Sequence, residues 1–364
     1  MKNPVGVGII GLGSVSEKYI PNVKQVDLSG TPTEIIMGCD VRPGFAEVAR
    51  RQGIAAFTTD YQDVLGRADI DVVLILTSMQ THGELARAAL LAGKHVLVEK
   101  PLSMSLAEAA ELVSLSKTSK GHLVCAPHVT LSKVYRDMAR HVQAGDIGTV
   151  HSARGLYGWA GPDWGAWFYE PGGGPMFDLG VYNVTTLTGL IGPVKRVMAM
   201  SGTAVPERIV ENRKIKVQTE DNSQLLLDFG NQCFAVVTTG FTIQKYRCAG
   251  IELYGSKGTI QMLGEDWDPA GYELWENDKG HWQVHDSRAR WPWTDGVREL
   301  IEAVYQGRKP ETDAEHAYHV LEIMTKSFES GRTGQALPIE STFAPRKFAK
   351  AGASLAPHLD HAPN

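Results

Sequence analysis

Five short aliphatic runs, VGVGII, EIIMGCD, VVLILTS, HVLVEK and HLVCA, recur between residues 4 and 126 and are separated by longer stretches with helical spacing. A strand that returns to pair in parallel needs a long crossover, so this alternation predicts parallel strands joined by helices. Helices are expected at 45–53 (FAEVARRQG), 81–94 (THGELARAALLAGK) and 106–120 (LAEAAELVSLSKTSK), where apolar residues recur every three or four positions. Ser105 followed by Glu108 reads as a capping box opening the last of them.

After about residue 148 the rhythm changes. TVHSARGLYGW, KRVMAMSGTAV, SQLLLDF, CFAVVTTGFT and IELYGSKGTIQML follow one another with short turns, which predicts a mostly antiparallel sheet in an α+β unit. YGSKGT at 254–259 reads as a hairpin turn, and WTDGVRELIEAVYQGR and AEHAYHVLEIMTKSFESGR read as closing helices. At 364 residues the chain exceeds one core. The expected division is a nucleotide-binding domain over 1–126, a substrate and oligomerisation domain over 127–343 and a tail over 344–364, with the closing helices free to pack back on the first domain. The tail has neither helical nor strand period and is expected to be flexible or partner-bound.

A net charge of -5 provides no field for phosphate backbones, which argues against a nucleic-acid partner. No stretch is long and apolar enough for a membrane span, and MKNPVGVGIIGLG has no signal-peptide layout. Cys39, Cys125, Cys233 and Cys248 form no ligand spacing, so reduced thiols, no metal and a cytoplasmic location are expected.

In VGVGIIGLGSVSEKYI, Gly11 and Gly13 follow the first strand, and Ser14 and Val15 lead into a helix whose amino terminus can hold a pyrophosphate. Ser16 stands where a third glycine is usual. The second strand ends in CDVR, which places Asp40 where a carboxylate accepts from the adenosine ribose hydroxyls and favours NAD. Arg42 can instead pair with a 2′-phosphate, so NADP use stays open. Thr77 ends the third run, and His82 lies in the next turn or helix start, either at the cofactor or capping the helix. HVLVEKPLSMS then ends a strand with Glu99, Lys100 and Pro101: either a polar sheet rim or a cation aimed into the crevice at the carboxyl end of the sheet.

In WFYEPGGGPMFDLGVYNVTTLTG, helical periodicity places Asp178 and Tyr182 on one face. GIIGLG with Asp40, EKP at 99–101, GGGPMFDLGVY at 172–182 and ELYGSKGTI at 252–260, in this order and spacing, resemble the Gfo/Idh/MocA oxidoreductases over about residues 4–343. The resemblance implies a Rossmann domain joined to an open-faced antiparallel sheet domain, with the nicotinamide between them and the substrate on the sheet side. Lys100 matches the lysine that helps bind the substrate hydroxyl and the nicotinamide, and Glu99 falls with it in the cofactor set. Many members carry histidine four residues after the aspartate; Tyr182 is similar to the branch containing glucose-fructose oxidoreductase and dimeric dihydrodiol dehydrogenase, where lysine and tyrosine share proton transfer. The expected roles are Tyr182 as acid/base, Lys100 as the cation that lowers its pKa from about 10, and Asp178 as orienter of the substrate hydroxyl or of Lys100.

His128 replaces an asparagine frequent in the family and is expected either at the substrate or in the core. Trp159, Trp164 and Trp167, just before the glycine run, suit a sugar ring, with core packing or a subunit interface as the alternative; Trp291 and Trp293 are further candidates for a wall. The expected activity is NAD(P)-dependent hydride transfer between the nicotinamide and a ring carbinol or ketone of a sugar, glycoside or cyclic polyol, in a homodimer or homotetramer. The alternatives are a redox-cycling glycoside hydrolase or lyase and a non-catalytic nucleotide-binding sensor.

Overall fold

Every residue of β1 (Val5–Ile10) is buried, as a central strand covered on both faces requires. The computed structural model describes residues 3–287 and 291–348. β1 is followed by α1 (Ser16–Leu28), β2 (Thr33–Cys39), α2 (Ala46–Arg51), β3 (Ala56–Thr58), α3 (Tyr61–Gly66), β4 (Val72–Ile75), α4 (His82–Leu91), β5 (His95–Val98), α5 (Leu106–Thr118) and β6 (Leu123–Cys125). The strands form one parallel sheet in the order β3-β2-β1-β4-β5-β6. The order reverses between β1 and β4, the point at which sheets of this kind bind ligands beyond the carboxyl ends of the strands. Ser105 caps α5 by accepting from the Glu108 amide, but the Glu108 carboxyl turns to Ser103 and does not close the box.

A second sheet follows α6 (Lys133–Ala144). Its strands are β7 (Val150–Gly158), β8 (Arg196–Gly202), β11 (Asn222–Gly230), β12 (Cys233–Gly240), β13 (Ile251–Gly255), β14 (Gly258–Glu265), β15 (Asp268–Glu276), β16 (Trp282–Asp286) and β17 (Leu337–Pro338); β9 (Glu207–Val210) and β10 (Arg213–Lys216) pair as a separate hairpin. The nine strands run β16-β15-β14-β13-β7-β12-β11-β8-β17, and only β7 and β12 pair in parallel. Alternation along β11 and β12 buries Leu225, Leu227, Ala235 and Val237 beneath α7 (Val181–Ile191) and α9 (Ala314–Thr333). The opposite face leaves Met198, Met200, Leu226, Phe234 and Val236 exposed.

α8 (Gly296–Gln306) rests on α1, β1 and β5, and α9 contacts β8 and α7 on one side and α5 and β6 on the other. The two closing helices therefore couple the sheets. Residues 344–348, expected in a flexible or partner-bound tail, have no regular structure yet are packed on the chain itself: Arg346 pairs with Glu311, Gln143 bonds to Arg346 and Phe348, and the Phe348 ring meets Tyr135. Side-chain docking of this kind leaves no periodic trace. The remainder of that expected tail, 349–364, lies outside the described residues.

Candidate active site

The first strand-to-helix turn is shaped for a ligand that approaches backbone. Gly11 has φ +95°, and a Cβ there would lie 2.7 Å from the Leu76 backbone, so only glycine fits. A Cβ on Gly13 would meet nothing within 4 Å, which leaves open room before Ser14, Val15 and the amino terminus of α1. Ser16 is fully buried and donates to the Gly13 carbonyl at 2.6 Å, so serine fits the third-glycine position. At the end of β2 the Asp40 carboxylate accepts from the Leu12 amide at 3.1 Å and from Arg42 Nε and Nη2 at 2.8 and 2.9 Å. Burial raises Asp40, but the hydrogen bonds from Arg42 and Leu12 outweigh it and hold the carboxyl below its ordinary value. Arg42 also stacks on Phe45 at 3.6 Å. The acid and the cation assigned to different ribose forms thus share one salt bridge. Thr77 is partly exposed at the end of β4, bonded to Thr81.

Two expected cofactor residues act instead as braces. His82 is 1% exposed, with Nδ1 2.8 Å from the Pro101 carbonyl and Nε2 3.1 Å from that of Thr77, so it ties β4 to the EKP turn and does not enter the crevice. Glu99 accepts from the Tyr19 hydroxyl at 2.8 Å and from the Lys100 amide at 3.1 Å, and Tyr19 packs edge-on against Trp293. Lys100 reaches the second domain with its charge. Its Nζ donates to Asp178 Oδ1 at 2.9 Å and to the Asp178 carbonyl at 3.0 Å, and lies 5.7 Å from the centre of the Tyr182 ring.

Asp178 sits in a π turn, Met176–Gly180, that runs directly into α7. From Met176 to Leu190 every residue is buried except Asp178 and Tyr182. The segment is core everywhere but where it meets Lys100. The expected lowering of the Tyr182 pKa is not what the surroundings produce. Desolvation first, then the charges of Glu99, Asp178 and Asp266, push the phenol well above its ordinary value, because the Lys100 charge is already engaged by Asp178. The resting side chain is a neutral proton donor. The glycine run before it allows a close domain contact: Gly172 has φ +91°, and a Cβ there would lie 2.5 Å from Met104 Cε of the first domain.

His128 is fully buried against Gly296 and cannot touch substrate; burial pushes its pKa down to about 4. Trp293 packs on Tyr19 and Trp291 donates to Asp295 at 3.2 Å, so both serve the base of α8 and not a sugar wall. Trp159 lies 5.4 Å from Trp164 and 6.4 Å from Phe241, while Trp167 stacks on Phe168 at 3.7 Å. These rings surround a small core of Tyr169 and Phe241, from which Trp164 and Trp167 project, 54% and 47% exposed.

Sequence reasoning missed a second group of side chains that stands beside Tyr182. Tyr157, at the end of β7, lies edge-on to Tyr182 at 6.0 Å and stacks on Trp267 at 6.5 Å. Glu265 accepts from Tyr246 at 2.9 Å and from Trp267 Nε1 at 2.5 Å. Asp266, 1% exposed, accepts from Asn183 at 2.9 Å and Thr186 at 3.3 Å, which fixes the β14–β15 turn to α7; burial raises its pKa to about 7. The polar-aromatic triplet EDW at a hairpin end was the available signal. Among the described residues no group of histidine, cysteine or acidic side chains is arranged to hold a metal, and no helix is long and apolar enough to cross a membrane.

Lys100, Asp178 and Tyr182 thus meet where the parallel sheet's carboxyl end faces the second domain, an arrangement that suits a two-domain oxidoreductase. Residues 5–126 match the oxidoreductase family with an NAD-binding Rossmann fold, and residues 135–261 match the GFO/IDH/MocA C-terminal domain. The chain belongs to the Gfo/Idh/MocA family and is an NAD-binding oxidoreductase. It is 25% identical over 343 residues to the 1,5-anhydro-D-fructose reductase of Ensifer adhaerens, covering 92% of this chain and 98% of that protein. A glycosyl hydrolase family 109 protein of Streptomyces filamentosus is 31% identical over 166 residues, 43% of this chain and 33% of that one. A levoglucosan dehydrogenase solved with NADH and levoglucosan has the same fold, with a TM-score of 0.83 at 21% identity over 93% of this chain and 100% of the other.

Proposed function

We propose that the protein transfers a hydride between NAD and a ring carbinol or ketone of a sugar, glycoside or cyclic polyol. The observation that carries this reading is the pairing of Lys100 with Asp178 beside Tyr182, at the carboxyl end of the nucleotide-binding sheet. The residues present fit the cofactor: Gly11, Gly13, Ser14 and Val15 would hold the pyrophosphate, Asp40 the adenosine ribose, and Thr77 the crevice beyond β4. The nicotinamide supplies the hydride chemistry when bound. Tyr182 takes the hydroxyl proton on oxidation and returns it on reduction. Because its phenol is neutral at rest, reduction finds its acid ready, whereas oxidation needs the phenolate, which becomes available only as pH rises. Oxidation should therefore accelerate as pH rises, and reduction should not.

Similarity to sugar and polyol enzymes, among them the Ensifer adhaerens reductase, supports the substrate class. Arg42 makes NADP a second cofactor in this reading. The exposed apolar face of Met198, Met200, Leu226, Phe234 and Val236 supports a homo-oligomer built by pairing of sheets, and a cytoplasmic location completes the proposal. The match to a family 109 glycosyl hydrolase favours one rival, a redox cycle that leaves the nicotinamide unchanged overall. Absorbance of reduced nicotinamide across a panel of sugars, polyols and glycosides separates the two: it accumulates in net oxidation and stays flat while an aglycone is released in the rival. Tyr182→Phe should lower kcat by about 10²- to 10⁴-fold with NADH affinity unchanged. Near full turnover in that variant removes Tyr182 from the mechanism.

A further inference from the structure

The residues around Tyr157 have no role in the chemistry above, yet they are held firmly beside Tyr182. Tyr157 stands beside Tyr182 with ring centres 6.0 Å apart at 75°, and its ring is stacked at 16° on Trp267. Trp267 is held by Glu265, which is held in turn by Tyr246. Asp266 ties the same turn to Asn183 and Thr186, so the element that backs Tyr157 is fixed to the helix that carries Tyr182. Tyr157, Tyr182, Glu265 and Trp267 are all only partly buried, in contrast to the closed core around them. Burial, with Tyr182, Glu265 and Asp178 nearby, keeps the Tyr157 phenol protonated and so a hydrogen-bond donor.

Two phenols fixed side by side can take two hydroxyls of one ring. We propose that Tyr157 is a specificity-determining residue: its hydroxyl binds the substrate hydroxyl on the carbon next to the reacting carbinol, and the Glu265–Trp267 turn sets its position. This rests on the activity proposed above and narrows the substrate class to vicinal diols of pyranoses and cyclic polyols. A ring lacking the second hydroxyl leaves the Tyr157 donor without a partner and binds less well.

Calorimetric titration of the NADH-loaded protein tests this independently of turnover. The probes are D-xylose, levoglucosan and myo-inositol, each paired with the deoxy analogue lacking one hydroxyl beside a ring carbinol. Wild type should bind at least one parent ring about 3- to 10-fold more tightly than its analogue. Tyr157→Phe should weaken the parent by the same factor and leave the analogue unchanged, a selective loss that a merely structural role would not give. Trp267→Phe, which keeps an aromatic face but loses the N-H to Glu265, should show a smaller loss of the same kind. Equal effects on parent and analogue, no effect, or no binding of any parent would overturn the subsite. Selective loss of binding without reduced nicotinamide in any turnover assay would leave the subsite standing and refute the dehydrogenase reading instead.

Discussion

Replacing Asp266 by asparagine should stabilise the protein above neutrality and leave its stability nearly unchanged in acid. The carboxyl is 1% exposed, both its donors, Asn183 and Thr186, converge on Oδ2, and Oδ1 has no partner among the described residues. Burial outweighs those two bonds and raises the pKa to about 7. In the unfolded chain an aspartate titrates at about 3.9. Between these values the folded state keeps a proton that the unfolded state has shed. The stability tied to this group is fully present below the unfolded pKa and is lost as pH rises through the folded one, a cost on the order of 4 kcal/mol well above pH 7. Asparagine has the shape of the protonated acid, offers one carbonyl to both donors and cannot ionise. Its amide goes unpartnered as the acid's own Oδ1 already does, so that cost cancels and the gain in base is about 4 kcal/mol. Spread over the unfolding entropy of a chain this size, that is a rise in Tm of about 5 °C. Thermal melts of both proteins by circular dichroism, from about pH 5 to about pH 9, should coincide in acid and diverge through neutrality. A difference independent of pH, or a variant less stable in base, would refute the claim that a buried carboxyl ionises there.

Arg42→Ala should weaken use of NADP while retaining NAD, with the ratio of kcat/KM values shifting by about 10- to 100-fold, since a charge-assisted hydrogen bond is worth about 1.5–3 kcal/mol; steady-state kinetics with both cofactors checks it. Gly11→Ala puts a Cβ 2.7 Å from the Leu76 backbone at a φ of +95° and should eliminate NADH binding, measured by fluorescence titration, at a stability cost of about 1–3 kcal/mol. Leu226→Lys places a charge in the centre of the exposed sheet face and should convert the proposed oligomer to monomer in sedimentation velocity, with little change in Tm of the isolated chain.

The sequence by itself determined those features that local patterning and backbone sterics control. The five aliphatic runs are β1, β2, β4, β5 and β6, because strands covered on both faces must be apolar throughout; the three-residue β3 was too short to leave such a run. Gly11, Gly13 and Asp40 were legible because a tight turn and a strand-end acid recur at fixed spacing. Lys100, Asp178 and Tyr182 were legible from motif and order, and the fold brings the first two to 2.9 Å. Tertiary structure alone decided what surrounds them. Whether a histidine binds ligand or braces a turn depends on which carbonyls face it, and those at His82 come from Thr77 and Pro101 on separate elements. His128 became core because α8 returns from far along the chain to cover it. Tyr157 and the Glu265–Trp267 turn join Tyr182 only through sheet register and the hold of Asp266 on α7, and the Tyr182 phenol is raised because desolvation is a property of the assembled site and not of any local stretch.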